Sequence, residues 1–431
     1  MGVEDKKRVL ILGAGFGGVN TALHLEKKIG ADAPVEITLV DQHHYHLFTP
    51  MLHEAASGVI DSSLILTPIR RILRGKRVRF VRARVEDIDL QAQEVGLGCQ
   101  RLSFDILVIA LGSVTDFYGL ESVRERAMEL KSASDADRLR CHAINRFEAA
   151  VDESDPHRRQ ELLTFVVVGG GCTGVETVTE LHEFLEHLRE EQYDSIERAE
   201  MRTVLIEARG GVLPQMGHSL AQKALRRMKK MGIEVKLNTR VTGLYKRGLE
   251  FAGDQETLPT ETLVWTAGVR AHPLLDDVPL EKDSIGRVVV GSDLSAPERP
   301  NVYVLGDAAH ARHPQTDKVY PPTAQVAYRQ AGVAAANIRA GLLGGSRRVF
   351  DLTYIGDLVS LGSWSGVADP FGLKLWGPPA WLMWKFYYLL TLISWQSRLR
   401  VAVNWFLALF SPLNSSLPNQ CTPDCDTELC L

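Results

Sequence analysis

The chain has no cysteine between positions 173 and 420, no apolar run of membrane-spanning length, no excess of positive charge and no acidic residue between positions 375 and 410. Each absence excludes something. The six cysteines are Cys99, Cys141, Cys172, Cys421, Cys425 and Cys430, so the middle of the chain cannot carry a redox-active dithiol or a cysteine-based metal centre. Residues 380–395 fall short of the roughly 20 apolar residues that a helical span needs, and Lys385 interrupts them. A net charge of −4, with no basic stripe interleaved with aromatics in the first 350 residues, argues against nucleic acid as a partner. Met1 to Arg8 runs directly into an apolar strand pattern, from which no signal or transit peptide is expected. The last three cysteines lie among Pro, Asp and Asn without a fourth ligand at a usual spacing. Residues 413–431 are therefore expected to be a disordered tail, with metal binding or lipidation the minor alternative.

What the chain does have is glycine, and two clusters of it follow short apolar runs. Val9-Leu10-Ile11-Leu12 feeds Gly13-Ala14-Gly15-Phe16-Gly17-Gly18, and Val166-Val167-Val168 feeds Gly169-Gly170-Gly171-Cys172-Thr173-Gly174. A lone Gly-x-Gly-x-x-Gly match is weak, so its setting decides. Val19, Ala22 and Leu23 recur at helical spacing after the first cluster, and Val175, Val178, Leu181 and Leu185 after the second. Each turn therefore joins a strand to a helix. Each unit also ends on a second apolar strand closed by an acid, Asp41 in the first and Glu207 in the second. This pattern fits dinucleotide binding. Gly13 and Gly169 take the tight turn, Gly15 and Gly171 let a pyrophosphate approach, and the acids accept hydrogen bonds from ribose hydroxyls. Two dinucleotides in one chain allow electrons to be relayed between them.

Further strand endings follow. Residues 104–110 run through Ala110 into Leu111-Gly112-Ser113, residues 262–265 run into Thr266-Ala267-Gly268, and residues 301–305 end in Gly306-Asp307. Ligands of open α/β sheets sit beyond strand carboxyl ends, which puts Asp307 at a cofactor mouth. Pro321-Pro322-Thr323 then precedes good helix formers and predicts a helix capped by Thr323. The polar stretch 116–160 reads as a largely helical connection, and the charge-dense stretch 181–202 as a solvated helix extension. The expected organisation is a first dinucleotide-binding domain over 1–160, a second over 161–270, a return to the first over 271–345, a C-terminal region over 346–412 and the tail.

Taken together, the two Gly-rich units, Ala110-x-Gly112, Thr266-Ala267-Gly268, Gly306-Asp307 and the Ala324-Gln325-x-Ala327 helix start resemble type II NADH dehydrogenases, the single-subunit NADH:quinone oxidoreductases. The resemblance covers essentially the whole chain before the tail. It implies an α/β fold of two Rossmann-like domains, one for FAD and one for NADH, plus a C-terminal amphipathic membrane-associating region. It implies Gly13, Gly15, Gly18, Asp41 and Asp307 on FAD, and Gly169, Gly171, Gly174 and Glu207 on NADH. Ala110, Gly112, Ala324, Gln325 and Gly268 complete the cofactor-binding set. The activity it implies is hydride transfer from NADH to flavin N5, then passage of two electrons to a membrane quinone without proton pumping. Glu176, Gln325 and Arg329 form the implied catalytic set.

The residues agree with much of this. A helix starting near Thr323 aims its unpaired N–H groups at the flavin edge. Glu207 repels the extra phosphate of NADPH, so NADH is favoured. Gln325 offers a donor and an acceptor to a quinone carbonyl, and Glu176 can relay protons. Three positions depart from the family pattern. Arg329 replaces the second Gln of Ala-Gln-x-Ala-x-Gln, with Gln330 displaced by one, Leu111 stands where Thr is common, and Cys172 stands where Pro is often found. The missing cysteine pair argues against dithiol chemistry at a flavin. His43, His44 and His46 are not taken as metal ligands, because neighbours in an extended stretch face opposite ways; no metal is expected.

Six of the seven tryptophans, Trp364, Trp376, Trp381, Trp384, Trp395 and Trp405, fall late in the chain. Trp381, Trp384, Tyr388, Leu392 and Trp395 are expected on one helical stripe, and the only charges from 375 to 410 are Lys385, Arg398 and Arg400. An aromatic, basic segment suits the plane of a membrane interface, and a homodimer contact is the competing use. The expected location is the cytoplasmic face of a bacterial-type membrane, with an organellar membrane as the alternative. Two other readings stay open, a reductase of a soluble electron carrier and an NADH-sensing flavoprotein with little turnover. Glu176 could also merely complement its helix N-terminus, and Gln325 could serve the flavin alone.

Overall fold

A computed structural model describes residues 6–30, 33–245, 248–253, 256–352 and 356–408. The tail expected at 413–431, with Cys421, Cys425 and Cys430, lies outside the described residues. The chain forms two compact units. One takes residues 1–47, 66–114 and 269–353, the other residues 48–65, 115–268 and 354–431.

The first unit is built on a six-stranded sheet in the order Ser295–Ala296, Arg299–Val304, Ile106–Ile109, Lys7–Leu12, Val35–Asp41, Val78–Arg82. All neighbours are parallel except the Ser295–Ala296 edge. Parallel strands covered on both faces read as unbroken apolar runs, which is why Val9, Leu10, Ile11 and Leu12 are all buried. The register seats Ile11 between Leu39 and Val108. Helix Phe16–Ile29 packs against helix Ala324–Leu343, whose inner face is Ala331, Ala334, Ala335 and Ile338. The Thr323 cap is present, its hydroxyl accepting from the Val326 N–H at 3.3 Å.

The second unit carries a four-stranded, all-parallel sheet in the order Glu234–Lys236, Arg202–Ile206, Thr164–Val168, Thr262–Trp265. Helix Cys172–Glu191 follows the central strand and buries Val175, Val178, Leu181, Leu185 and Leu188. Its later turns are thus not a solvated extension: one face is core, and the charges occupy the other. Helix Ala133–Asp152, within the stretch read as a helical connection, opens on a capping box between Ser132 and Asp135. The short helix Leu52–Ala56 packs on both.

The same unit ends in a small antiparallel sheet, Leu358–Ser360, Gly366–Ala368 and Leu375–Trp376, followed by helices Pro378–Thr391 and Trp395–Leu407. Among the described residues no helix is long and apolar enough to cross a membrane. The single stripe expected from Trp381 to Trp395 is corrected. The backbone leaves the helix at Leu392, with ψ 132°, and a separate helix begins at Trp395. Trp384 and Leu392 are buried, and the outward row is instead Leu382, Phe386 and Leu390, continued on the next helix by Trp395, Leu399 and Val403. Each row repeats every four residues, so it lies along one helix face.

Candidate functional site

The two Gly-rich turns divide labour among their glycines in the same way. Gly13 and Gly169 take φ values of 93° and 117°, in the left-handed region, and each presses on the backbone of the next strand's end, Ala110 and Ala267 respectively. A Cβ at Gly18 or Gly174 would overlap the carbonyl oxygen of Gly13 or Gly169. These four glycines are therefore required by the fold itself. Gly15 and Gly171 differ, because an added Cβ at either would meet no atom within 4 Å. That open space is a cradle at the start of a helix, where unpaired N–H groups and the helix dipole favour an anion.

The acids have a task that was not legible in the sequence. Asp41 Oδ2 accepts from the Ala14 N–H at 2.6 Å and its Oδ1 from the His43 N–H at 2.7 Å. Glu207 repeats this, Oε2 accepting from Gly170 N–H at 2.6 Å and Oε1 from Arg209 N–H at 2.8 Å. Each carboxylate ties the second residue of its turn to the loop after its own strand. An ionised carboxylate has about four acceptor positions, so room for ribose hydroxyls remains.

Other expected residues gather at strand mouths. Gly112 has φ 72° after strand Ile106–Ile109. Asp307, beyond strand Arg299–Val304, accepts from the Ser113 hydroxyl at 2.7 Å. Ala324 and Gln325 occupy the first turn of their helix, and Arg329 lies one turn on, exposed. Gln330 is buried, and its Oε1 accepts from the Gly306 N–H at 2.7 Å. The displaced glutamine is thus a structural brace, and it leaves Arg329 on the face of Gln325. His46, not taken as a metal ligand, is buried beside the first Gly-rich turn. Its Nδ1 lies 2.9 Å from the Ala14 carbonyl, and burial holds its pKa below the usual histidine range, so the neutral ring donates there. Its Nε2 is buried without a partner. Cys172 opens the second turn's helix, and burial pushes its thiol pKa up, away from nucleophilic reactivity.

Glu176 stands in a buried cluster of its own unit. Its Oε1 accepts from Trp384 Nε1–H at 3.0 Å and from Ser360 N–H at 3.1 Å, and His53 Nδ1 lies 3.8 Å from Oε2. It does not simply complement its helix N-terminus. One turn on, Glu180 accepts from the Ser360 hydroxyl at 3.1 Å. Burial pushes Glu176 up to about 8 and also raises Glu180, while burial and Lys385 push His53 down to about 3. Lys385 is ion-paired with Glu54, sits 4.2 Å from the Trp405 ring centroid and has a largely covered side chain. Trp405 Nε1–H donates to the other Glu54 oxygen at 2.9 Å. Lys385 is therefore an interior counter-ion and not a headgroup-facing charge, which corrects the sequence expectation. His53, Glu54 and Glu180 bring ligand atoms within 4.8 Å of one another, yet the positive charge among them comes from Lys385. Glu54, Glu180 and Ser360 lack a local sequence signal; their roles follow from contacts across 180 or more positions.

The fold and the two seats define an oxidoreductase of the two-dinucleotide type, and a family model described as pyridine nucleotide-disulphide oxidoreductase matches residues 7–331. The type II NADH:quinone oxidoreductase Ndh of Mycobacterium tuberculosis is 34% identical over 427 residues, covering 96% of this chain and 90% of that protein. The type II NADH:quinone oxidoreductase of Staphylococcus aureus is 32% identical over 386 residues, covering 89% and 94%. Among solved structures, NDH2 from Plasmodium falciparum in complex with NADH superposes with a TM-score of 0.87 over 95% of this chain and 100% of that one. At 20% identity this likeness bears on the fold alone. The chain belongs to the type II NADH:quinone oxidoreductases of the pyridine nucleotide-disulphide oxidoreductase family.

Proposed function

We propose that this chain oxidises NADH and reduces a quinone, holding FAD in the seat of the first unit and NADH in the seat of the second. The observation that carries this is the doubled cradle. Two turns keep open space at Gly15 and Gly171, while backbone closes the space at Gly13, Gly18, Gly169 and Gly174. The first unit's residues fit FAD: beside the cradle lie Asp41, the orphaned His46 Nε2, and Asp307 at the strand mouth. Bound FAD supplies the two-electron chemistry that links a nicotinamide to a quinone.

The chain's own residues bind, orient and hold protons. The N-terminus of helix Ala324–Leu343 offers N–H groups and a partial positive charge to a flavin edge. Glu207 holds a ribose and disfavours a 2′-phosphate. Gln325 presents a donor and an acceptor to a quinone carbonyl, and Arg329 lies on the same helix face. Reduction of a quinone takes up two protons, and burial pushes Glu176 up to about 8, which favours the protonated carboxyl at neutral pH. The test is NADH oxidation by FAD-loaded protein against a quinone panel, with NADPH as the control. Fast turnover with NADH that requires quinone is expected; turnover that quinone does not stimulate would refute the reading.

We further propose that the protein lies on a membrane surface, on the cytoplasmic face of a bacterial-type membrane. Support comes from the outward row of Leu382, Phe386, Leu390, Trp395, Leu399 and Val403, continued by Phe406 and Leu407, with Arg400 exposed among them. Exposed apolar rows on two successive helices suit an interaction face, and quinones dissolve in lipid. A homodimer using the same face is the outcome that liposome flotation would expose.

A further inference from the structure

Tyr118 is a bulky aromatic held at φ 51°, in the left-handed region where such residues are rare and cluster at ligand sites. It is 58% exposed, and its hydroxyl donates to the Ala267 carbonyl at 3.2 Å. The ring lies over Gly268, where any Cβ would overlap it. Ala267 in turn packs on Gly169, and Gly170 on Glu207. The ring, the Gly-rich turn and the ribose-binding acid thus form one rim across the carboxyl ends of strands Thr262–Trp265, Thr164–Val168 and Arg202–Ile206, which are neighbours in the sheet.

The ring is firmly placed. Tyr118 N–H donates to Asp116 Oδ1 at 2.8 Å, Asp116 N–H to the Gly268 carbonyl at 3.0 Å, and Trp265 Nε1–H to the Asp116 carbonyl at 2.8 Å. Phe117 stacks on Trp265 at 6.0 Å and 27°. A structural tyrosine would bury its face against this scaffold, whereas this one uses it to hold a flat π surface toward solvent beside a nucleotide seat.

We propose that Tyr118 forms a wall of the adenine pocket in the second seat, its ring stacking on the base whose ribose Glu207 holds. The proposal rests on that seat being the NADH seat. Base stacking on an aromatic needs only a flat, exposed ring of fixed orientation, and the acid that closes the second strand of such a unit holds the adenosine ribose.

The test compares NADH with reduced nicotinamide mononucleotide, which lacks the adenylate, and adds calorimetric titration of ADP-ribose into the FAD-loaded protein. Tyr118→Leu and Tyr118→Ala are expected to raise the NADH KM and the ADP-ribose Kd on the order of tenfold. Both should leave kcat with NADH, and turnover of the mononucleotide, as in wild type. Tyr118→Phe should match wild type throughout. Equal losses with both reductants, or an unchanged ADP-ribose Kd, would overturn the proposal. A wild-type protein that uses the mononucleotide as efficiently as NADH would overturn the adenylate seat itself, and this pocket with it.

Discussion

Trp384 donates its indole N–H to Glu176 across 208 positions, tying helix Pro378–Thr391 to the helix that begins at the second Gly-rich turn. The bond joins a group the sequence marks as functional to one it marks as a membrane anchor, and it makes the first depend on the second.

Burial pushes Glu176 up to about 8, against an ordinary 4.5. Between those values the folded chain binds a proton that the unfolded chain has lost, so stability falls as pH rises through that window and is fully present below it. The melting temperature should therefore fall as pH rises from about 4.5 to about 8, and fall less steeply in Glu176→Gln; equal slopes by calorimetry would refute this. Trp384→Phe removes a donor that favours the ionised form. It should move the alkaline limb of the quinone-reduction pH profile upward.

Lys385 and Glu54 form a covered ion pair. Lys385→Met should destabilise the protein by about 3–5 kcal/mol, because it strands a buried carboxylate, and Glu54→Leu in the same chain should recover most of the loss. Denaturant titrations of both singles and the double close the cycle, and additive losses would exclude the pairing.

Glu207→Gln should lower the ratio of kcat/KM for NADH over NADPH by at least about tenfold, because the charge that repels a 2′-phosphate is gone. NADH itself should bind more weakly as well. A glutamine has one acceptor oxygen for the two N–H groups of Gly170 and Arg209. Steady-state kinetics with both nucleotides measure the ratio; an unchanged ratio would move cofactor choice elsewhere.

Phe386→Glu combined with Leu390→Glu places charges on the outward row without touching Trp384 or Lys385. Liposome flotation should show the variant in the soluble fraction, with oxidation of NADH by a water-soluble quinone near wild type. Retention in the lipid fraction would rule this face out as the docking surface.

Arg329→Gln should change the quinone KM more than the NADH KM, since Arg329 is exposed on the Gln325 face and Gln330 is already engaged with Gly306. Equal shifts in both constants would contradict this placement.

Both Gly-rich turns, the two acids, the Thr323 cap and the strand mouth at Asp307 were legible in the sequence, because each rests on neighbours within a few dozen positions. The outward row at the C-terminus was misjudged for a physical reason. Tryptophan presents a large apolar body with one N–H, and both suit a buried acceptor as well as a headgroup. Glu176 supplied that acceptor from a distant segment, and Lys385 likewise found Glu54 across 331 positions. Residues 48–65 carry no pattern that assigns them to the second unit; their helix joins it by packing on two helices far along the chain.

Gly15 and Gly171 have ordinary φ values of −72° and −74° and open space where a side chain would begin. Alanine at either place would suit the empty protein better, by about 0.4–1 kcal/mol through the unfolded chain, while its methyl group would fill the room left for a pyrophosphate. At these two positions room for a ligand and thermal robustness pull in opposite directions, whereas at Gly13, Gly18, Gly169 and Gly174 the backbone itself requires glycine. On the seats proposed above, Gly171→Ala is expected to keep its flavin and lose NADH binding, and Gly15→Ala to lose the flavin while staying folded, which flavin absorbance and NADH titration check.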